Sequence, residues 1–266
     1  MPDGGFLVAR IYTLVNQKGG VGKTTTAINL AAYLAQLDQR VLVVDLDPQA
    51  NATSCLGVDK STVSGGMYEA LLGSAAMPLV LLNERLKLSL LPASPALAGA
   101  EVELVEELAR ETRLKKAITP LAEKYDYILI DCPPSLGLLT VNGLVAAKDG
   151  VLVPVQCEYL ALEGLGQLTQ TIQRVRSALF PELKVRGVIL TMFDPRTNLS
   201  TDVVKEVNKH FPNQVFKSVI PRSIRLAEAP SYGLPISVYA PSSVGAQAYE
   251  ALAKELLKGD GIKGSH

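Results

Sequence analysis

Short apolar runs alternate with longer amphipathic segments along most of the chain. Buried strands are predicted at residues 11–15, 40–44 and 127–130, and a helix is predicted at 24–37. Later elements are predicted, in chain order, as a strand at 150–155, a helix at 161–179, a strand at 185–192, a helix at 200–211, a strand at 215–220 and a helix at 244–257. Because strands alternate with helices, the pattern predicts a single-domain, doubly wound α/β fold, whose mainly parallel sheet is flanked by helices on both faces.

Composition and length agree with one such domain. The chain has 266 residues, of which 48% are hydrophobic, enough for a large core. We expect the domain to span 10–258, with a flexible N-terminus at 1–9 and a flexible tail at 259–266. No run approaches the roughly 18 apolar residues of a membrane span, and no signal-peptide pattern precedes the first strand, so a cytoplasmic protein is expected. The few cysteines are widely spaced, which argues against a disulfide framework or a zinc site.

The junction between the first strand and the first helix has the composition of a phosphate-binding loop. In order, it contains Lys18, Gly19, Gly20, Val21, Gly22, Lys23, Thr24 and Thr25. Backbone N–H groups of such a loop, at a helix N-terminus, bind phosphate oxygens, which predicts a nucleotide such as ATP as ligand. Lys23 is expected to hold the β- and γ-phosphates, and the Thr24 hydroxyl is expected to bind Mg²⁺. The strict pattern requires Gly where this chain has Gln17, so the loop is a variant.

Two of the other predicted strands end in aspartates. Asp45 and Asp47 follow the strand at 40–44, and Asp131 ends the strand at 127–130. Ligands bind at the carboxyl ends of parallel strands, so these carboxylates are expected near the phosphates. Asp131 is predicted to hold Mg²⁺ through its bound water. For Asp45 and Asp47, capping of the next turn remains an alternative.

Residues 16–26 resemble the deviant Walker A motif of the ParA/MinD superfamily of P-loop ATPases. From about residue 10 to about residue 257, the chain is most similar to the ParA/Soj partition ATPases. The resemblance implies that Lys18 reaches the ATP of a second subunit in an ATP-dependent homodimer. It also implies that Asp47 orients the attacking water and that Asp45 supports the Mg²⁺ shell. Hydrolysis is expected to be slow and to be stimulated by a ParB (Spo0J-like) partner, which fits the absence of an arginine from the catalytic motifs.

The net charge is zero, but basic residues are concentrated in one part of the chain. Residues 170–226 contain ten Lys/Arg and four Asp/Glu, an excess of six positive charges. A basic face of this kind binds DNA backbones without reading their sequence, whereas composition alone leaves a solvated surface as an alternative. By resemblance, non-specific double-stranded DNA is the ligand and the protein is nucleoid-associated, with Arg196, Arg222 and Arg225 as candidate contacts.

The same resemblance implies a contact with the base of ATP, and at two positions this chain differs from the residue that is common in the family. Pro221 and Arg222 are expected beside the adenine of ATP, where Ser223 replaces a common family Asn. Ala50 stands where the family commonly has Gly, a change expected to stiffen the segment after Asp47.

Three other protein classes share part of this pattern. A MinD-like membrane-associated division-site ATPase would need a basic amphipathic C-terminal helix, whereas the apolar stripe of the last helix is more typical of core packing. Nitrogenase-type iron proteins share the deviant loop, so Cys132 is either a cluster ligand or a simple buried thiol. A binding module without catalysis is disfavoured because the residues expected to act in hydrolysis are all present, namely Lys18, Lys23, Thr24, Asp47 and Asp131.

Overall fold

The computed structural model describes residues 9–63, 65–73, 80–81, 88–158 and 161–262. Within these residues, one sheet contains seven strands. The strands are β1 (Arg10–Leu14), β2 (Val41–Asp45), β3 (Val80–Leu81), β4 (Leu88–Leu91), β5 (Tyr127–Asp131), β6 (Gly150–Gln156) and β7 (Val185–Thr191). The helices are α1 (Lys23–Gln36), α2 (Asn51–Cys55), α3 (Met67–Leu72), α4 (Leu97–Glu103), α5 (Arg113–Ile118), α6 (Leu138–Ala146), α7 (Ala161–Ala178), α8 (Asn198–His210), α9 (Ile224–Glu228), α10 (Ile236–Tyr239) and α11 (Val244–Gly259). Short 3₁₀ turns cover Leu104–Glu106, Arg110–Thr112, Thr119–Leu121 and Ala229–Tyr232.

The strand order places the end of β1 at the middle of the sheet. The order is β3-β4-β2-β5-β1-β6-β7, and every pairing is parallel except that of β3 with β4. Leu14 and Asp45, the last residues of β1 and β2, both pair with Asp131, the last residue of β5. The three strand ends therefore lie side by side at one edge of the sheet, where ligands of doubly wound folds bind. The predicted fold class is confirmed.

Both faces of the sheet are covered by helices. In β5, Tyr127 and Leu129 pack into a cluster formed with α1 and α11, whereas Ile128 and Ile130 pack into a cluster with α3–α6. A third cluster lies under α7 and α8, against β6 and β7. Since successive side chains of a strand point to opposite faces, a strand buried on both faces must be apolar at nearly every position. This requirement explains the continuous apolar runs in the sequence.

The segment 215–220 is not the strand that its apolar residues predict. It meets β7 at the isolated bridge of Val188 with Val215, and the N–H of Ile220 donates to Leu190 O. The backbone N–H groups of Lys217 and Ser218 instead donate to the carboxylate of Glu255, on α11, at 2.8 and 2.9 Å. Because a side chain from a distant helix satisfies these donors, the ladder is interrupted.

The C-terminal end of the domain extends beyond the expected boundary. α11 continues to Gly259, and the Asp260 side chain, 3% exposed, accepts hydrogen bonds from Tyr12, Tyr127 and Arg186. Residues 259–262 therefore belong to the folded domain, which corrects the predicted start of the tail. The remainder of both predicted flexible ends, 1–8 and 263–266, lies outside the described residues, whereas Ala9 is buried and its N–H donates to Ala122 O.

The apolar stripe of α11 is mainly part of the core. Leu252 and Leu256 are fully buried against α1, Ala248 is half-buried against the same cluster, and only Val244 at the first turn is exposed. None of the helices within the described ranges is long and apolar enough to cross a membrane.

Candidate nucleotide-binding site

The loop between β1 and α1 presents unsatisfied backbone donors. Gly20 and Gly22 have φ values of 74° and 88°, left-handed conformations that glycine adopts without steric cost. Gly22 caps α1 with no side-chain hydrogen bond, so N–H groups of the first helical turn point out of the helix without a capping acceptor. The loop is held in place by Asn16, which donates to Pro154 O, and by Thr191, which donates to Val21 O. A fixed ring of N–H donors at a helix N-terminus is the arrangement that binds phosphate.

The two lysines of the loop have different environments. Lys23 is buried, and its ammonium donates to the carbonyl oxygen of Lys18 at 3.3 Å. Burial lowers the pKa of Lys23, while the nearby carboxylates of Asp131 and Asp47 act in the opposite direction. The Lys18 side chain is half-buried, and its ammonium has no ion-pair partner in the part of the chain that the structure describes.

Asp131 and Thr24 form the part of the site that fits a magnesium ion. The Thr24 hydroxyl donates to Oδ2 of Asp131 at 2.7 Å, while Oδ1 of Asp131 is buried without a hydrogen-bond partner. Burial raises the pKa of Asp131 to about 8, and the charges of Asp45 and Asp47 add to this effect. A buried carboxylate oxygen without a partner is stabilised by a cation or its bound water. No group of three His, Cys, Asp or Glu suited to a metal occurs in the described residues, and Mg²⁺ held mainly by phosphates and water needs none.

The side chain of Asp45 is held by hydrogen bonds within the chain, and its expected support of Mg²⁺ stays a prediction. Its Oδ2 accepts from both the N–H and the hydroxyl of Thr53, at 2.8 and 2.7 Å, and its Oδ1 accepts from the N–H of Asp47. Thr53 lies in the first turn of α2, so Asp45 caps that helix from a distance. In this conformation both oxygens are engaged, and Asp45 positions the segment that carries Asp47. Burial raises the pKa of Asp45 to about 6, although the hydrogen bonds from Thr53 oppose the shift.

The segment from Asp47 to α2 carries backbone strain. Oδ1 of Asp47 accepts from the N–H of Gln49, and its Oδ2 has no hydrogen-bond partner within the described residues. Ala50, which precedes α2, is fully buried with φ 52° and ψ 41°, a left-handed conformation that an L-residue adopts at a cost of about 1–2 kcal/mol. The departure noticed in the sequence therefore falls at a position where glycine would be unstrained.

A cavity of about 400 Å³ opens beside the loop. Pro221, Arg222 and Ser223 line it, together with Thr25 from α1 and Tyr249 from α11. The size and the mainly apolar lining suit a purine base joined to phosphates at the loop. The predicted contacts Pro221 and Arg222 are thus at the cavity, but their contact with adenine remains a prediction.

The three arginines expected to contact DNA are exposed, and each is paired with an acid. Their side chains are 84% (Arg196), 55% (Arg222) and 61% (Arg225) exposed, with Asp194, Glu158 and Glu228 as partners at 2.6–3.0 Å. Glu158 and Glu228 come from outside the segment 170–226, so the local charge excess is smaller than the sequence count. Exposed pairs of this kind contribute little to stability, and phosphate groups compete for the arginines.

Sequence reasoning missed several residues of the site. Thr53 and Thr191 belong to none of the sequence motifs, yet Thr53 holds Asp45 and Thr191 holds the loop. Met192 lines the cavity and has a left-handed φ of 52°. Asn16 begins the motif at residues 16–26, but the sequence did not predict its hydrogen bond to Pro154 O.

The cysteines are buried or half-buried free thiols. Burial raises the pKa of Cys132 well above its usual range, and burial also raises those of Cys55 and Cys157 to about 11. These surroundings match the simple-thiol interpretation of Cys132.

The chain has the features of a P-loop nucleotide-binding domain. They are a strand, a glycine-containing loop and a helix in this order, with aspartates and a cavity of the size of a base beside the loop. A family model described as an AAA domain matches residues 9–185. The chain is 55% identical over 254 residues to the chromosome partitioning protein ParA of Myxococcus xanthus, covering 95% of this chain and 89% of the relative. It is 52% identical to the sporulation initiation inhibitor protein Soj of Bacillus subtilis, and the match covers 94% of this chain and 98% of the relative. The chain belongs to the ParA/Soj family of chromosome-partitioning ATPases.

A solved relative supports the assignment of the ligands. A structure named cobyrinic acid a,c-diamide synthase, from Mycobacterium smegmatis, was determined with a bound ATP analogue and magnesium. It has 41% sequence identity and a TM-score of 0.82, and the match covers 94% of this chain and 95% of that one. The ligands of this relative confirm the expectation of ATP and Mg²⁺ as cofactors.

Proposed function

We propose that this ATPase forms an ATP-dependent homodimer, binds duplex DNA without sequence preference, and hydrolyses ATP slowly until a ParB (Spo0J-like) partner stimulates it. We propose that the protein acts on the nucleoid, where it segregates a chromosome or a plasmid. The family membership supports a partition role.

The observation that carries the proposal is the contrast between the two lysines of the loop. Lys23 is buried and directed at its own loop, whereas Lys18 holds an ammonium group that nothing in the described chain neutralises. A lysine is a point charge that seeks phosphate, and it acts equally well across an interface. A second subunit facing this loop would supply that phosphate, and the arrangement would be reciprocal in a two-fold dimer.

In the proposed reaction, the chain mainly positions groups and stabilises charge. Loop N–H groups and Lys23 bind the phosphates, Thr24 and Asp131 hold Mg²⁺, and the free oxygen of Asp47 accepts a hydrogen bond from the attacking water. Bound Mg²⁺ supplies neutralisation of the phosphate charge. Lys18 of the second subunit adds positive charge where negative charge develops.

Two measurements test the proposal with the purified chain. Duplex DNA of unrelated sequences should bind in the presence of ATP and Mg²⁺, and much more weakly with ADP or without nucleotide. Steady-state phosphate release should rise from the protein alone, to protein with DNA, to protein with DNA and ParB from the same organism. Equal rates in all three conditions, or DNA binding that ignores nucleotide, would contradict the proposal.

A MinD-like membrane role gains no support from the described helices. The C-terminal helix that would have to contact lipid buries most of its apolar stripe against α1. We therefore do not propose it.

A further inference from the structure

The end of β7 contacts the phosphate loop through one buried side chain. Thr191, the last residue of β7, is 2% exposed, and its hydroxyl donates to the carbonyl oxygen of Val21 at 2.8 Å. A Cβ at Gly22 would lie 3.7 Å from the methyl carbon of Thr191, an ordinary van der Waals distance. The hydroxyl and the methyl group of Thr191 therefore both lie beside the peptide that joins Val21 to Gly22.

This contact sets the direction of a backbone donor in the loop. The N–H groups of residues 19–25 have no hydrogen-bond acceptor among the described residues. A peptide unit is planar and trans, so its C=O and N–H bonds point in opposite directions. Because Thr191 holds the C=O of Val21 toward β7, the N–H of Gly22 points away from β7. That N–H is therefore kept available, as one of the unpaired donors of the loop, for a phosphate oxygen.

Glycine does not impose this direction by itself. Gly22 has a φ of 88°, and glycine adopts positive and negative φ about equally readily. The peptide between Val21 and Gly22 could therefore turn over without a steric cost at Gly22. In the turned-over form, the partial negative charge of the Val21 oxygen would face the phosphates in place of an N–H group. Within the described part of the chain, the Val21 oxygen accepts from Thr191 and from no other donor.

We propose that Thr191 is a positioning residue for phosphate binding. Its hydroxyl holds the peptide between Val21 and Gly22 in the orientation in which the Gly22 N–H donates to a phosphate of ATP. Thr191 acts on the phosphates through this peptide, and Met192, the next residue, lines the base cavity. The inference rests on the proposed function in one respect, the binding of phosphates by the loop N–H groups, and it does not depend on the dimer, DNA or ParB.

The test compares the binding of ATP with that of adenosine, which fills the base cavity but carries no phosphate. Thr191→Val keeps the shape of the side chain and removes the hydroxyl. Its affinity for ATP with Mg²⁺ should fall at least about fivefold, because the Gly22 N–H is no longer held in place. Its affinity for adenosine should stay within about twofold of the wild-type value. Thr191→Ser retains the hydroxyl and should restore the affinity for ATP.

Thr13→Val is the matched control. The Thr13 hydroxyl is also buried and donates to a backbone carbonyl, that of Gly143 on α6, at 2.7 Å. Removing it should lower the melting temperature of the free protein, as Thr191→Val should, because each variant leaves a carbonyl without this donor. The ratio of ATP affinity to adenosine affinity should stay at the wild-type value in Thr13→Val and should fall only in Thr191→Val.

The outcomes separate this inference from the proposed function. If the wild type binds ATP more tightly than adenosine and Thr191→Val keeps the same ratio, the positioning role is overturned and the proposed function stands. An equal fall of the ratio in Thr13→Val, or a Thr191→Ser protein as weak as Thr191→Val, also overturns the role, because the loss would not come from the hydroxyl at this peptide. If the wild type binds ATP no more tightly than adenosine, phosphate binding by the loop fails, and this inference fails with it.

Discussion

Thr24 and Asp131 are joined by a hydrogen bond of 2.7 Å from the threonine hydroxyl to Oδ2 of the aspartate. The contact connects the first turn of α1 to the end of β5, although the residues are 107 positions apart in sequence. It leaves Oδ1 of Asp131 as a buried acceptor without a partner. A cation bound at this pair would supply the missing partner of Oδ1.

Removing the Thr24 hydroxyl should weaken magnesium-dependent nucleotide binding. Thr24→Val keeps the shape but removes a hydrogen bond to a charged group, worth about 1.5–3 kcal/mol, or roughly 10- to 100-fold in affinity. Calorimetric titration with ATP, with and without Mg²⁺, measures the effect. Thr24→Ser is the control and should retain binding. An unchanged magnesium dependence in Thr24→Val would contradict the assignment.

Substitutions of Asp47 and Lys23 should affect different steps, hydrolysis of ATP and binding of ATP, respectively. Asp47→Ala should bind ATP and dimerise but release phosphate at least about a hundredfold more slowly, because the group that orients water is lost. Lys23→Ala should lose nucleotide affinity itself. Sedimentation with ATP distinguishes the two variants, and a monomeric Asp47→Ala protein with bound ATP would count against the proposed cycle.

Ala50→Gly should leave stability almost unchanged. The substitution relieves about 1–2 kcal/mol of left-handed strain but removes a buried methyl group, worth about 0.8 kcal/mol, and frees the unfolded backbone by about 0.4–1 kcal/mol. These effects nearly cancel, so urea unfolding should shift by less than about 1 kcal/mol. Ala50→Val adds bulk and β-branching at the same φ and should destabilise by at least about 2 kcal/mol. Equal behaviour of the two variants would show that backbone strain is unimportant here.

Asp260→Ala should destabilise the domain without affecting the nucleotide site. It leaves Arg186 and the hydroxyls of Tyr12 and Tyr127 without their shared acceptor, and breaking a buried ion pair costs about 3–5 kcal/mol. Chemical denaturation measures the loss. Glu250→Ala removes an exposed ion pair within α11, the helix that precedes Asp260, and should cost less than about 0.5 kcal/mol. A loss below 1 kcal/mol for Asp260→Ala would mean that residues 259–262 are not anchored as described.

The arginine pairs give opposite predictions for DNA affinity. Arg225→Glu or Arg196→Glu should weaken binding to unrelated duplexes and reduce the salt slope, while ATP-driven dimerisation persists. Asp194→Asn should strengthen binding because it releases Arg196 from its competing carboxylate. Anisotropy titrations at several salt concentrations provide the measurement. If none of these changes alters DNA affinity, the DNA face lies elsewhere.

The sequence determined the features that depend on local chemistry. The loop from Lys18 to Thr25 was recognisable because phosphate binding requires glycines and a lysine at a helix start, and these are neighbours in the chain. The strands ending in Asp45 and Asp131 were recognisable because buried parallel strands must be apolar at consecutive positions. The fold class followed from the alternation of such strands with helices.

Tertiary structure decided where side chains found partners from remote segments. Thr53 occupies Asp45, Glu255 removes two donors from the segment expected to be a strand, and Asp260 gathers groups from three strands. Glu158 and Glu228 offset arginines that the local charge count left in excess. Hydrogen bonds and ion pairs act over about 3 Å of space, whatever the separation along the chain, so no periodicity of the sequence encodes them. The sequence alone therefore located the nucleotide loop, whereas the folded chain determined which charged side chains of the protein have an ion-pair partner and which do not.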